Sequence, residues 1–322
     1  MELQADDFGP VFGHEAARRE FFEALAAGRM HHGWLLRGSR GVGKARLALR
    51  LALHLLGDRS DLTASPDPAL TRLALAGSHP DLRVIRRPFD DKGKQKSEIP
   101  VDSVRELAQF FSLRPALGGW RVAIIDAVDE MNRFGANAVL KTLEEPPAKA
   151  VLFLISHGEQ ALLPTIRSRC RVLRCGTLSE RDELAVLAQA GHTGAKAESV
   201  AALAPGRPGR AIALMQGDGE AAGAAIDALL RAEGVDASTL QGALSQAARS
   251  DGALAMSLEH LRGYFQRRAM REGDPVLAGD LADAALAVAR ISAEASALNQ
   301  DRAQTVAAAL QAASGRLGNA GA

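Results

Sequence analysis

Cysteine is scarce in this sequence: Cys170 and Cys175 are the only two in 322 residues. That excludes a disulfide scaffold and a four-cysteine zinc site built within the chain, and two reduced thiols are the expectation. No apolar run approaches the ~18 residues that a membrane-spanning helix needs, so no membrane association is expected. Charge of one sign is also lacking, with a net charge of +1. Composition therefore offers no global electrostatic argument for nucleic acid, and any contact with DNA must be local or made through partners. Met1 to Asp7 are acidic where a targeting segment would be basic and then apolar, which gives the expectation of a cytoplasmic protein. Tandem repeats and long low-complexity linkers are absent too.

What is present is an ordinary globular composition, 47% hydrophobic and 24% charged, long enough for two or three domains. The most informative stretch is Gly38-Ser39-Arg40-Gly41-Val42-Gly43-Lys44-Ala45. The apolar Trp34-Leu35-Leu36 precedes it, and Leu47, Leu51 and Leu55 follow at four-residue spacing, which predicts strand, loop and helix. In that context Gly38, Gly41 and Gly43 let backbone N–H groups turn inward around a phosphate at a helix N-terminus, and Lys44 reaches the outer phosphates. Ala45 departs from the pattern. A Ser or Thr hydroxyl at that position ligates magnesium, which a methyl group cannot do.

Residues 14–27 read as an amphipathic helix, and residues 58–80 as an irregular excursion. Leu82–Arg86 reads as a strand, and Lys92 to Lys96 as a basic loop, either a solvated hairpin tip or a nucleic-acid contact. Ser103 and Glu106 have the spacing of a capping box that opens a helix. Val122 to Asp126 and Val151 to Ile155 are continuous apolar runs suited to buried parallel strands, with a helix between them that Pro146-Pro147 ends. Residues 1–176 are thus expected to form an α/β domain with a parallel sheet. Gly38, Asp126 and Ser156 would all fall at strand carboxyl ends, where ligands bind in such sheets. Residues 177–217 read as a small helical domain. Residues 218–322 read as a helical bundle, with stripes such as Leu254, Leu258, Leu261 and Phe265.

Several segments together resemble the clamp-loader branch of the AAA+ ATPases, as found in bacterial DNA polymerase III. They are Gly13-His14-Glu15, Gly38 to Lys44, Gly77-Ser78-His79-Pro80-Asp81-Leu82 and Ile99-Pro100-Val101-Asp102. Asn137 to Pro147 and Leu163 to Cys170 follow in the same order. The resemblance covers most of the first 215 residues. It implies an AAA+ P-loop domain, a helical lid domain and an all-helical collar domain. It also implies a five-subunit assembly, with gamma or tau ATPase subunits and delta as partners, which opens the sliding clamp and places it on primed DNA.

In the family the arginine of Ser168-Arg169-Cys170 completes the ATP site of a neighbouring subunit, so Arg169 is the candidate arginine finger; a purely local salt bridge is the alternative. Arg167 and Arg171 would point elsewhere if the segment is extended. The chain's own site departs from the family at Ala45, at Ala127, where a Glu would position the attacking water, and at Gly209, where motor subunits carry an arginine. Ser156 falls at the first sensor position. The family's four-cysteine zinc module has no counterpart in residues 58–76, and no zinc is expected, with Leu70, Leu73 and Leu75 as a small apolar substitute. The reading is a non-catalytic scaffold subunit in which the degenerate loop leaves room for weak ATP or ADP binding without hydrolysis. A self-sufficient gamma/tau-like ATPase subunit is the alternative.

Overall fold

In the computed structural model, residues 3–90, 96, 98–158, 164–201, 204–215, 218–231, 236–298 and 301–317 are described. The chain forms two compact units, Met1–Glu183 and Leu184–Ala322. The first is built on five strands, β1 (Gly33–Arg37), β2 (Leu82–Arg86), β3 (Arg121–Asp126), β4 (Ala150–Ser156) and β5 (Arg171–Arg174). Their order is β2-β3-β4-β1-β5. All four pairings are parallel, with Leu36 opposite Ile155 and Leu173, and Ile124 opposite Phe153.

Alternation along the strands decides which face each side chain joins. Trp34, Leu36, Val122, Ile124, Val151 and Phe153 pack on one face with α1 (Glu15–Ala26), α2 (Lys44–Leu55) and the flank of α3 (Pro68–Leu75). Leu35, Ala123, Ile125, Leu152 and Leu154 pack on the other with α4 (Val101–Ser112) and α5 (Arg133–Glu144). Both faces are covered, so β3 and β4 had to be apolar at nearly every position, as their sequences are. A parallel sheet with helices on both faces and a phosphate-type loop between β1 and α2 make this an α/β domain of the phosphate-loop type.

Local readings needed correction in three places. Residues 58–80 are not wholly irregular, because Asp67 accepts from the N–H groups of Ala69 and Leu70 and caps α3, with Pro68 as its first residue. Asp-Pro here opens a helix inside a stretch expected to be irregular. Ser103 does not cap α4, which begins two residues earlier at Val101 after Pro100. Arg169 is not in an extended segment: α6 (Pro164–Arg167) leads into a turn, and β5 starts only at Arg171. The basic stretch Lys92 to Gln95 lies outside the described residues.

The apolar contacts expected of residues 70–75 are divided. Leu70 and Leu75 pack on the core, whereas Leu73 is exposed. The residues before them are organised by Arg50, a fully buried arginine that the sequence reading passed over. Its guanidinium donates to the carbonyls of Leu62 (3.2 Å), Asp61 (2.9 Å) and Ala64 (2.6 Å) and to the Ser60 hydroxyl (3.0 Å), beside the Asp58 carboxylate at 3.7 Å. One planar cation with five donors thus satisfies a loop's carbonyls that water cannot reach.

The second unit is helical. After α7 (Glu180–Gln189), α8 (Gly194–Ala201) and α9 (Pro208–Met215) share a cluster of Leu187, Ala197, Val200, Ala204 and Ala211 with Met256. The longer helices α10 (Asp218–Arg231), α11 (Ala237–Ala247), α12 (Asp251–Arg271), α13 (Pro275–Leu298) and α14 (Arg302–Leu317) enclose a second core. Leu258, Leu261 and Phe265 of the stripe seen in the sequence lie in it, together with Leu281, Val288 and Val306. Among the described residues no helix is long and apolar enough to cross a membrane.

Candidate nucleotide site and candidate arginine finger

The loop after β1 is shaped by its glycines. A Cβ on Gly38 would stand 1.9 Å from the Cys175 carbonyl oxygen, so only glycine fits where the loop passes the end of β5. Gly41 and Gly43 take φ of 88° and 99°, left-handed values that L side chains disfavour. Gly43 forms the N-cap position of α2. His14, itself left-handed at the start of α1, donates from Nε2 to the Val42 carbonyl at 2.7 Å and ties that helix to the loop. Burial holds the His14 pKa below the ordinary histidine value.

Lys44 is 3% exposed, and its Nζ donates to the carbonyls of Gly38 and Ser39, both at 2.7 Å. Burial pushes its pKa down from 10.5 to about 8, against the nearby Cys175, Asp126 and Asp129, which raise it. A buried ammonium resting on loop carbonyls is a cation whose natural counter-charge is an anion in the loop.

Gly38, Asp126 and Ser156 come together at the strand carboxyl ends. The Gly38 N–H donates to the Ser156 carbonyl at 3.3 Å, and Asp126 stands beside Ile155 in the register. Asp126 is paired with Arg86 at 3.1 Å, and Arg86 also reaches Asp7 at 3.1 Å. Burial nevertheless raises the Asp126 pKa, with Arg86 pulling the other way. Ala127, next in the chain, is fully buried and carries no group that could take a proton.

Two carboxylates that the sequence reading missed complete this end of the sheet. Asp129 accepts from the Ser156 hydroxyl at 2.9 Å and from the His157 backbone N–H. Ser156 is therefore engaged with an acidic neighbour, and the Gly158 carbonyl, 3.1 Å from the same hydroxyl, competes for its one proton. Glu130 is bridged by Arg40 of the loop at 2.8 Å and by Arg87 at 2.7 Å. The signal was visible as Asp129-Glu130 just past an apolar strand, but only the packing of the following turn aims the two carboxylates. His157 is kept neutral: burial first, then Lys44, Arg40 and Arg87, push its pKa down to about 3.

Arg169 lies at the other end of the sheet. It precedes Arg171, which pairs with Trp34, and a Cβ on Gly33 would stand 3.2 Å from the Arg169 carbonyl oxygen. Lys44 follows the opposite end of the same strand, so the length of β1, roughly 16 Å at ~3.3 Å per residue, separates the two. The Arg169 side chain is 37% exposed, donates to the Thr165 carbonyl at 3.0 Å, and pairs with Glu144 at 2.9 Å.

Fold and loop define an α/β domain of the phosphate-loop class whose loop ends in Ala45. The profile of the family described as "DNA polymerase III, delta subunit" matches residues 13–179. The chain belongs to this family of DNA polymerase III clamp-loader subunits, and its resemblance is to the delta' subunit. It is similar to the DNA polymerase III subunit delta' of Pseudomonas aeruginosa, 40% identical over 145 residues, which cover 45% of this chain and 43% of that protein. With the subunit delta' of Escherichia coli K12 it shares 34% identity over 206 residues, 62% of this chain and 60% of that protein. With the subunit tau of Salmonella typhimurium it shares 36% identity over 165 residues, 51% of this chain and 24% of that protein. The chain thus spans about half the length of the delta' relatives it matches.

Proposed function

We propose that this chain is a non-hydrolysing scaffold subunit of the replicative clamp loader and supplies Arg169 to the ATP site of a neighbouring subunit. The observation that carries this reading is the separation of Arg169 from Lys44 along β1. A guanidinium at the amino ends of the strands cannot reach a phosphate held at their carboxyl ends in the same chain. It is half-exposed and reaches a phosphate only on another subunit. There it stabilises the negative charge that develops during phosphoryl transfer.

The chain's own loop is suited to holding an anion and poorly suited to splitting it. Gly38, Gly41, Gly43 and Lys44 supply backbone donors and a buried cation for weak ATP or ADP binding. Ala45 offers no hydroxyl for magnesium, and the buried methyl of Ala127 offers no base for water. No zinc is required, since Arg50 and Asp58 already order the residues between α2 and α3. The partners in this reading are gamma or tau ATPase subunits and delta, with the sliding clamp and primed DNA engaged by the assembled complex in the cytoplasm.

The test compares ATP hydrolysis by the chain alone and by the complete loader with clamp and primed DNA, using wild type and Arg169→Ala. The isolated chain should be silent, and hydrolysis at the site Arg169 completes should fall by on the order of 10³-fold. Turnover by the isolated chain would instead support a self-sufficient ATPase subunit. Unchanged stimulation in an intact Arg169→Ala complex would remove the finger from the reading.

A further inference from the structure

Glu144 is the last residue of α5, and Glu145 follows it as the C-cap. Two carboxylates at the end of a helix stand where unpaired carbonyls already concentrate negative charge, a placement that is unfavourable without a cation. The cation beside Glu144 is the candidate finger: Arg169 Nη2 lies 2.9 Å from Glu144 Oε1. Arg169 Nη1 donates to the Thr165 carbonyl at 3.0 Å and to the Ser168 hydroxyl at 3.4 Å. Anchors on both terminal nitrogens hold the planar guanidinium in one orientation, and its remaining N–H groups stay available to an acceptor.

The meeting of these two side chains is built into the backbone. A Cβ on Gly33 would stand 2.8 Å from the Leu143 side chain, 3.2 Å from the Arg169 carbonyl oxygen and 3.2 Å from the Cys170 sulfur. Glycine at the start of β1 therefore allows the end of α5 and the turn bearing Arg169 to close on the same point. His32, stacked on His31 with centroids 4.3 Å apart, donates from Nε2 to the Leu143 carbonyl at 3.0 Å and fixes that end of the helix.

We propose that Glu144 is the positioning residue of Arg169, holding its guanidinium oriented until a neighbouring subunit's nucleotide phosphate takes the place of the carboxylate. This rests on the finger reading above and adds the group that prepares it. Both partners are well exposed, 37% and 51%, so solvent screens the pair and it holds weakly. Weakness suits the role, because a phosphate carries more charge than a carboxylate and accepts two parallel N–H bonds from the same fork. The rotamer freedom of a long side chain is given up before the phosphate arrives rather than at the reacting step.

The experiment uses the assembled loader with clamp and primed DNA, comparing wild type, Glu144→Gln, Glu144→Asp, Arg169→Ala and the double variant Arg169→Ala with Glu144→Gln. Glu144→Gln should lower kcat about two- to fivefold, the range that an exposed pair supports, with KM for ATP and assembly unchanged. Glu144→Asp, which keeps the charge, should recover part of the loss. In the Arg169→Ala background Glu144→Gln should have no further effect, since the group it positions is gone. The proposal is overturned if Glu144→Gln matches wild type or turns over faster, or if its effect persists without Arg169. If Arg169→Ala alone leaves stimulated hydrolysis intact, the finger reading fails first, and the role of Glu144 fails with it.

Discussion

Lys44 lends itself to a quantitative test, because its burial and its charge work against each other. Burial lowers its pKa from 10.5 to about 8, which at 1.36 kcal/mol per tenfold change in proton affinity amounts to about 3 kcal/mol against the protonated folded state. The folded pKa lies below the unfolded one, so between pH 8 and 10.5 the unfolded chain binds the proton more tightly and stability rises with pH. About 1 kcal/mol of that rise should arrive between pH 7 and 9. Cys170 and Cys175 act in the opposite sense above pH 9, since burial pushes both thiols up to about 12. The informative quantity is therefore the difference between wild type and Lys44→Met. Urea denaturation at intervals from pH 7 to 9 should show wild type gaining about 1 kcal/mol relative to the variant. Parallel pH profiles would mean that Lys44 titrates near its ordinary value and is not desolvated as described.

Replacing the buried guanidinium in Arg50→Met should cost about 3–5 kcal/mol in the same assay, because Asp58 stays buried and the carbonyls of Asp61, Leu62 and Ala64 lose their donor. A cost below ~1 kcal/mol would show that water replaces those bonds. Gly38→Ala should destabilise by about 3 kcal/mol, since its Cβ would meet the Cys175 carbonyl, a backbone atom that cannot swing away. Gly28→Ala is the comparison: φ is 64° and nothing lies within 4 Å, so only the backbone penalty of about 1 kcal/mol applies. Equal losses at the two positions would refute the steric account of Gly38.

Much of the α/β unit was legible because its signals are local or periodic. The continuous apolar runs of β3 and β4 announce strands buried on two faces, and glycines 38, 41 and 43 ahead of Lys44 announce a loop that turns its N–H groups inward. Where two local signals competed, the reading slipped. Ser103 and Glu106 imitate a capping box, but the helix was free to start at Val101, just after a proline with no N–H to satisfy. Asp58, Asp61, Pro66 and Pro68 make residues 58–80 read as irregular, yet Asp67 caps a helix that runs from Pro68 to Leu75.

The sequence by itself determined the alternation of strand and helix and the phosphate-type loop, since each is a matter of residue type at fixed spacing. Tertiary structure alone decided which charges meet. Arg50 is written as one cation in an amphipathic helix and becomes the centre of a buried hydrogen-bond network only when residues 58–64 fold over it. Asp129 finds Ser156, and Glu144 finds Arg169, across 27 and 25 residues of chain, by the order in which parallel strands assemble. The direction of those strands also sets Lys44 and Arg169 at opposite ends of one sheet. Which side chains meet at either end of the sheet is set by topology, because every parallel crossover returns the chain to the end where the strands begin and the strand order then decides the neighbours.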